Sequence, residues 1–429
     1  MLGASNLSEA AHLSQFRKSQ CLPRVRLNRL TILEKRMADH SRLPYELEKQ
    51  KLKENPRLEN SQIRPPTDFP HDAAGIRSDW LTTVLQANGT IGRDVSVRSL
   101  ESKQIGDGLG QTGEVARLIL TYNTHPDLPP GAPASLIAKF ATSNDARRKA
   151  SVATSLYVKE VDFYQNLADK ISLRSPKSYF AKCDAVGEFF LLLLEDFPHH
   201  RAGDQIAGSD LQEATLGMQQ LASLHGPFWN KPAPTQTASQ QNTPSKEILV
   251  KGWPEMERWF SDYMSPEFRS MKNAYLESVE AFEAWNFTKP QTLRHGDFKA
   301  DNLLFSTTND ADPVVALDWQ AIAMGKATVD LAYFITHNMT VEHRKAYERE
   351  LLEIYLNALQ GYGVDYSMSE LLTEYRIALA NNLKAQVYIC GVNVNQNPRA
   401  ILRKQHLMRR VSSSIEDWRL GELLPFKAS

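Results

Sequence analysis

The stretch LRHGDFKADNLLF, residues 293–305, sets a His, a Gly, two Asp and an Asn within eight residues and runs them straight into an apolar Leu-Leu-Phe. The next apolar run, VVALDWQ (residues 314–320), ends the same way, with Asp318 at the end of an expected strand. An ordinary surface loop does not predict a second acid at a second strand end. A short loop and a neighbouring strand terminus can instead gather these groups around one charged ligand. Asp297 is placed to orient or deprotonate a hydroxyl. Asn302, five residues on, can lend an oxygen to a metal, and Asp318 supplies the carboxylate that a hard cation such as Mg²⁺ prefers.

Around this stretch lies a chain of 429 residues, long enough for two lobes each with its own core. Lysine plus arginine equals aspartate plus glutamate at 50 each, so no overall field recruits nucleic acid or an anionic membrane. Cys21, Cys183 and Cys390 are far apart and form no CxxC pair, which gives neither a disulfide framework nor a zinc knuckle. A reducing, cytoplasmic setting fits them. The longest unbroken apolar run, residues 189–194, is far short of the roughly 20 residues that span a bilayer, so no membrane helix is expected. The first 36 residues carry seven Arg or Lys against two Glu and lack the apolar core of a secretory signal. They read as an organelle-targeting presequence or as a disordered extension, with Met37 a second plausible start. The polar segment ends in the linker RPPTDFPHDAAG, and residues 1–72 are left outside the folded core.

Patterning predicts a short helix in SDWLTTVLQANG, then strands in SVRSLESKQIG, GEVARLILTY and SLIAKFAT, read as an antiparallel meander. One helix is expected over SVATSLYVKEVDFYQNLADKI, followed by strands in KSYFAKCDAV and EFFLLLLEDF, the second apolar enough to be buried on both faces. Helices dominate after Ser209, in SDLQEATLGMQQLASLHGPFW, around Met256–Trp285, in RKAYERELLEIYLNALQGYG and from Leu371 to near Cys390, with the low-complexity loop NKPAPTQTASQQNTPS inserted. The expected class is α+β, with a small antiparallel-sheet lobe over residues 73–198 and a larger helical lobe over 199–429.

Phosphoryl transfer needs phosphates covered, a lysine touching them, a metal bridging them and a carboxylate to take a proton, and the chain offers a candidate for each. Gly108, Gly110 and Gly113 match GxGxxG; the strand pattern that follows suits a phosphate-covering hairpin rather than a dinucleotide turn, although a plain hairpin turn also fits. Lys139 lies inside an apolar strand, where a lysine is costly unless an anion meets it or its head snorkels to an edge. Glu160, about one helix later, can pair with it. His295 is a weaker base candidate than Asp297 and reads as a loop-packing group. His225 reads as packed or capping, and the pair His199 and His200 as surface. Asp330 reads as a helix cap or as a brace for the 293–305 loop.

With these residues placed, the chain resembles the aminoglycoside phosphotransferase and choline kinase group, most closely its ecdysteroid-kinase-like (CHK kinase-like) branch. The likeness runs from about Gly106 nearly to the C-terminus, on GDGLGQTGEVARLILTY, SLIAKFA, KEVDFYQNLAD, FLLLLEDF, RAGDQIAG, LASLHGPFW, RHGDFKADNLLF and VVALDWQ. It implies a protein-kinase-like bilobal fold with ATP in the cleft. Lys139 would then touch the phosphates and pair with Glu160, the chain at Glu195 and Phe197 would form the hinge against adenine, Asp297 would be the catalytic base, and Asn302 and Asp318 the Mg²⁺ ligands. Two positions depart from the pattern: Lys299, where many branch members carry a bulky aromatic, and the loose GKATVD before Leu331. The expected activity is ATP-dependent phosphorylation of a small-molecule hydroxyl. The alternatives are a silent nucleotide-binding scaffold of the same fold and an unrelated hydrolase, whose GxSxG or HExxH signature is absent. The basic run Arg399–Arg410 favours a neutral or anionic alcohol over a polycation, unless it is a solvated helix face.

Overall fold

The computed structural model describes residues 66–428 except 107–111, 124–130, 240–243, 309–311 and 394–396. The expected extension up to residue 65, together with Gly108 and Gly110, lies outside the described residues. Leu81, Val84 and Leu85 fall on one face of the first helix, Ser78–Ala87 (α1), which closes at Asn88 and at Gly89 with its positive φ of 74°. Three alternating segments follow as strands: Val97–Ile105 (β1), Gly113–Tyr122 (β2) and Ser135–Ala141 (β3). The helix expected after them is two, Asp145–Ala153 (α2) and Leu156–Asn166 (α3). They are broken where Ser155 takes a left-handed φ of 55°, a local conformation that apolar spacing does not report.

Ser178–Cys183 (β4) and Phe190–Glu195 (β5) complete a five-stranded antiparallel sheet of order β1-β2-β3-β5-β4. The meander therefore covers β1 to β3 only, since β5 inserts between β3 and β4. Central placement accounts for the unbroken apolar run of β5, whose alternate residues serve two cores. Leu191 and Leu193 face a cluster with Leu81, Leu85, Leu118 and Leu136. Phe190, Leu192 and Leu194 face the other way, toward Tyr157, Phe163 and the large core of the helical lobe. Phe69 packs against the first cluster and His71 stacks on Phe189 at 4.2 Å, so the packed chain begins before the boundary drawn at residue 72.

Beyond the sheet come His200–Ala202 (β6), Leu211–His225 (α4), Lys246–Phe260 (α5), Pro266–Ser270 (α6) and Lys272–Asn286 (α7). The single helical stretch expected around Met256–Trp285 is thus split among three helices. The low-complexity loop before α5 is anchored: Ala238 is fully buried, its carbonyl accepts the Met324 N–H at 2.9 Å, and Thr237 donates to Asp162. Short strands Thr292–Arg294 (β7), Leu303–Ser306 (β8), Val314–Ala316 (β9) and Ala323–Gly325 (β10) form two small sheets, β10-β7 and β6-β8-β9, that fix the ends of the loops carrying the acids. Helices Ala327–Asn338 (α8), Val341–Gln360 (α9), Met368–Asn381 (α10), Leu383–Val387 (α11) and Pro398–Asp417 (α12) complete the α+β, protein-kinase-like architecture, with a π-helical turn at Tyr388–Val392. No helix among the described residues is long and apolar enough to cross a membrane.

Two features of the helical lobe carry measurable consequences. The π turn lies directly on α5, where a Cβ at Gly391 would collide with the Gly252 carbonyl and lie 2.7 Å from its carbon. Neither backbone can retreat without opening the core. Gly391→Ala is expected to cost about 3 kcal/mol, read from the urea unfolding midpoint; a wild-type midpoint would remove the close approach from this account. The second feature is Lys384, whose buried ammonium has no hydrogen-bond partner. Burial and the nearby Arg294 guanidinium push its pKa from 10.5 down to about 8, against Glu283. The unfolded chain holds this proton up to the higher pH, so the folding penalty is full below about 8 and fades as pH rises toward 10.5. Lys384→Met is expected to stabilise the protein at pH 7.5 by roughly 1–3 kcal/mol, with a smaller gain at pH 9.5. An equal gain at both pH values, or a loss, contradicts this.

Candidate active site

Lys139 stands on β3, opposite Val115 on β2 and Leu192 on β5. Its ammonium is held by two carboxylates from different parts of the chain, Glu160 Oε1 on α3 at 2.7 Å and Asp318 Oδ1 after β9 at 2.8 Å. A lysine in an apolar strand is thereby paired twice, and the two acids hold its pKa well above the usual range although burial opposes them. Burial raises the Glu160 carboxyl to about 7 against the pull of Lys139. Burial acts the same way on Asp318, but there Lys139 and Lys299 outweigh it and the carboxyl is lowered. Asp318 takes a left-handed φ of 65°, which turns the chain at the strand end. Its Oδ2 accepts from Gln320 Nε2 at 3.2 Å, and Gln320 Oε1 accepts from Thr112 Oγ1 at 3.1 Å. This chain ties the start of β2 to the acid. Of the three glycines only Gly113 is described; its Cα faces Lys139 and the Phe140 carbonyl, where a Cβ would lie 2.8 Å from that oxygen.

The loop between β7 and β8 carries Asp297. Its Oδ1 accepts from the Tyr333 hydroxyl at 3.0 Å, and its Oδ2 from Lys299 Nζ at 2.6 Å and Asn302 Nδ2 at 3.1 Å. Asn302 Nδ2 also donates to the Asp297 carbonyl at 2.9 Å, leaving the amide oxygen as the atom that can face a cation. The Asn302 backbone carbonyl accepts the Leu317 N–H at 2.8 Å, which holds the two acid-bearing loops together. His295 is fully buried and both its nitrogens are spent: Nε2 donates to the Leu317 carbonyl at 3.0 Å and Nδ1 accepts the Asp297 N–H at 3.3 Å. Burial also lowers its pKa, so it is a neutral structural imidazole. Gly296 has a φ of 81° and a Cβ there would overlap the Ala321 carbonyl, so only glycine fits between His295 and Asp297.

Asp330 is the brace rather than the cap. Its carboxylate accepts the His295 N–H at 2.8 Å and the Gly296 N–H at 3.1 Å, while Lys326 occupies the N-cap of α8. Burial works against its ionisation, but His225 and Arg294 more than offset that and lower its pKa. His225 bonds the Tyr355 hydroxyl at 3.0 Å and lies 3.5 Å from Asp330. At the strand end leading to the helical lobe, Glu195 accepts from Arg174 at 2.7 Å and from the Lys177 N–H at 3.0 Å. The Phe197 ring lies under the Arg174 guanidinium at 5.2 Å. These contacts tie the end of β5 to the chain before β4. Asp196, not singled out in the sequence, pairs with Arg117 at 2.8 Å and accepts from Ser135 at 2.6 Å.

Tyr333 and Gln320 are the site residues that sequence reasoning missed. Tyr333 lies one helical turn after Asp330, so both side chains point to the loop, a signal that DLAYF carried. Gln320 was inside the quoted VVALDWQ. Asn302 offers an amide oxygen and Asp318 a carboxylate, the hard donors that Mg²⁺ takes beside a nucleotide's phosphate oxygens; both Asp318 oxygens are engaged here, by Lys139 and Gln320, and no cluster of three or more His, Cys, Asp or Glu among the described residues could hold a metal alone.

The model of the ecdysteroid kinase-like family matches residues 112–363, more than half of the chain. No curated protein sequence matches. Among solved structures, choline kinase from Cryptosporidium parvum is 12% identical, with 75% of this chain and 91% of that chain covered and a TM-score of 0.46. The ethanolamine kinase of Plasmodium vivax is 14% identical over 88% and 96%, with a TM-score of 0.45. The GDP complex of aminoglycoside 2'-phosphotransferase-IIIa is 15% identical over 79% and 99%, with a TM-score of 0.49.

Proposed function

The chain belongs to the ecdysteroid kinase-like family, and from that premise we propose that it is an ATP-dependent small-molecule kinase transferring the γ-phosphoryl group to an alcohol hydroxyl. The observation that carries the reading is the Lys139 ammonium clamped between Glu160 at 2.7 Å and Asp318 at 2.8 Å, beside a second, separately braced carboxylate. A structural ion pair needs one acid. Two acids sharing a lysine at a cleft suit a cation that touches phosphate and a carboxylate that also serves a metal.

In this reading Lys139 binds phosphate oxygens and Glu160 fixes its position. Gly113 lets the β2 hairpin lie close over the phosphates, and the chain at Glu195 and Phe197 receives the adenine. Asn302 and Asp318 would hold Mg²⁺, which would neutralise phosphate charge. Asp297, oriented by Tyr333 and Asn302, takes the proton of the acceptor hydroxyl as its oxygen bonds to the γ-phosphorus; the bond to the β,γ-bridging oxygen breaks and ADP leaves. His295 takes no part as a base, because both nitrogens are engaged. The test is ADP formation from ATP and Mg²⁺ across a panel of small alcohols. Alcohol-dependent turnover supports the reading, and nucleotide binding with no turnover on any alcohol supports the scaffold reading instead.

A further inference from the structure

The basic run of α12, Arg399 to Arg410, is a solvated helix face only at Arg399 and Arg409, which are exposed. Arg410 is buried and donates to the carbonyls of Gln205 at 2.6 Å, His337 at 2.8 Å and Ile206 at 3.0 Å. Lys404 is buried and donates to the Asn393 carbonyl. Arg399 bonds Asp204 at 3.3 Å, and the Arg409 guanidinium lies over the Tyr263 ring at 4.8 Å. Arg403 differs from these four. Its Nε is buried without a hydrogen-bond partner, and its nearest carboxylate, Asp301 Oδ2, stands 3.7 Å from Nη1, beyond hydrogen-bond range. Asp301 already spends its other oxygen on the Gln205 N–H at 2.8 Å.

This under-satisfied guanidinium stands beside the loop that carries Asp297, because Asp301, 3.7 Å away, lies four residues on in that same loop. Tyr333, which bonds Asp297, packs on the His337 ring at 4.3 Å. Lys299 belongs to the same loop as Asp301, its ammonium 2.6 Å from the carboxylate that would take the proton. An acceptor carrying its own ammonium would approach two cations here. A guanidinium with free donors in a partly buried position instead matches an oxyanion, which it can bind through paired N–H groups.

Resting on the kinase reading, we infer that the acceptor is an anionic alcohol, its carboxylate or phosphate held by Arg403 while its hydroxyl reaches Asp297, with Lys299 screening the two negative groups from each other. Arg403 is then a specificity-determining residue for the acceptor and leaves ATP untouched.

The test separates binding from turnover. Isothermal titration of the 429-residue Asp297→Asn protein, saturated with ATP and Mg²⁺, uses ω-hydroxy acids of four and twelve carbons, their neutral amides and the matching amino alcohols. Glycerol 3-phosphate beside glycerol tests phosphate against carboxylate. An anionic alcohol is expected to bind roughly 10- to 100-fold tighter than its neutral partner, the range of one charge-assisted contact. Arg403→Gln should abolish that preference and Arg403→Lys should keep part of it, with ATP affinity unchanged in both. The inference is overturned if neutral or cationic alcohols bind as tightly, if no anionic member binds, or if the preference survives Arg403→Gln. Turnover of the same panel by wild-type protein is scored separately: charge-selective binding with no turnover on any member would count against the kinase reading and not against the anion site.

Discussion

Asp297→Asn is expected to lower phosphoryl transfer to the acceptor by roughly 10²- to 10⁴-fold, the contribution of a positioned general base. The replacement keeps the shape of the side chain, and an amide oxygen can still accept from Tyr333 or Asn302, which bond Asp297 at 3.0 and 3.1 Å. What it removes is the proton acceptor and the partner of Lys299. Because Lys139 and Asp318 are untouched, the KM for ATP should move little while kcat falls. A fall confined to KM, with kcat retained, would make Asp297 a binding residue instead.

Lys139→Met carries the second large effect, and it should appear in two separable measurements. Activity is expected to fall roughly 10²- to 10³-fold, the scale for losing one preorganised electrostatic contact to the reacting group. Stability should fall by about 3 kcal/mol, because Glu160, only 1% exposed, loses the cation 2.7 Å away. Burial already raises the Glu160 carboxyl to about 7, so protonation should relieve part of this loss as pH drops from 8 to 6. The double variant Lys139→Met with Glu160→Gln separates the two roles: it should recover much of the stability and none of the activity. Recovery of both would mean that the lysine acts only by neutralising Glu160.

The acids and the lysine were legible because their spacing is local to short motifs and each motif ends at an apolar strand. Asp297, Asn302 and Asp318 are carried by two adjacent loops, and the β7–β10 and β8–β9 pairings that join them involve segments close in sequence. The features that escaped depend on distant chain. Apolar spacing does not reveal that β5 slips between β3 and β4, since a central strand reads the same whichever neighbours it takes. The break at Ser155 is a single left-handed residue within an otherwise helical pattern. Tyr333 sits within an apolar helical pattern, and only the packing of α8 brings its hydroxyl to Asp297. The charges of α12 read equally as solvated or functional; packing against the Gln205–Ile206 turn and His337 buries Arg410 and isolates Arg403.

The central claim is most directly tested by following label from [γ-³²P]ATP in the presence of Mg²⁺ and an alcohol panel, with wild-type and Asp297→Asn proteins in parallel. The account predicts label in an alcohol phosphate with wild-type protein and at least a hundredfold less with the variant. Label appearing only as inorganic phosphate, or transferred equally by the variant, would contradict it.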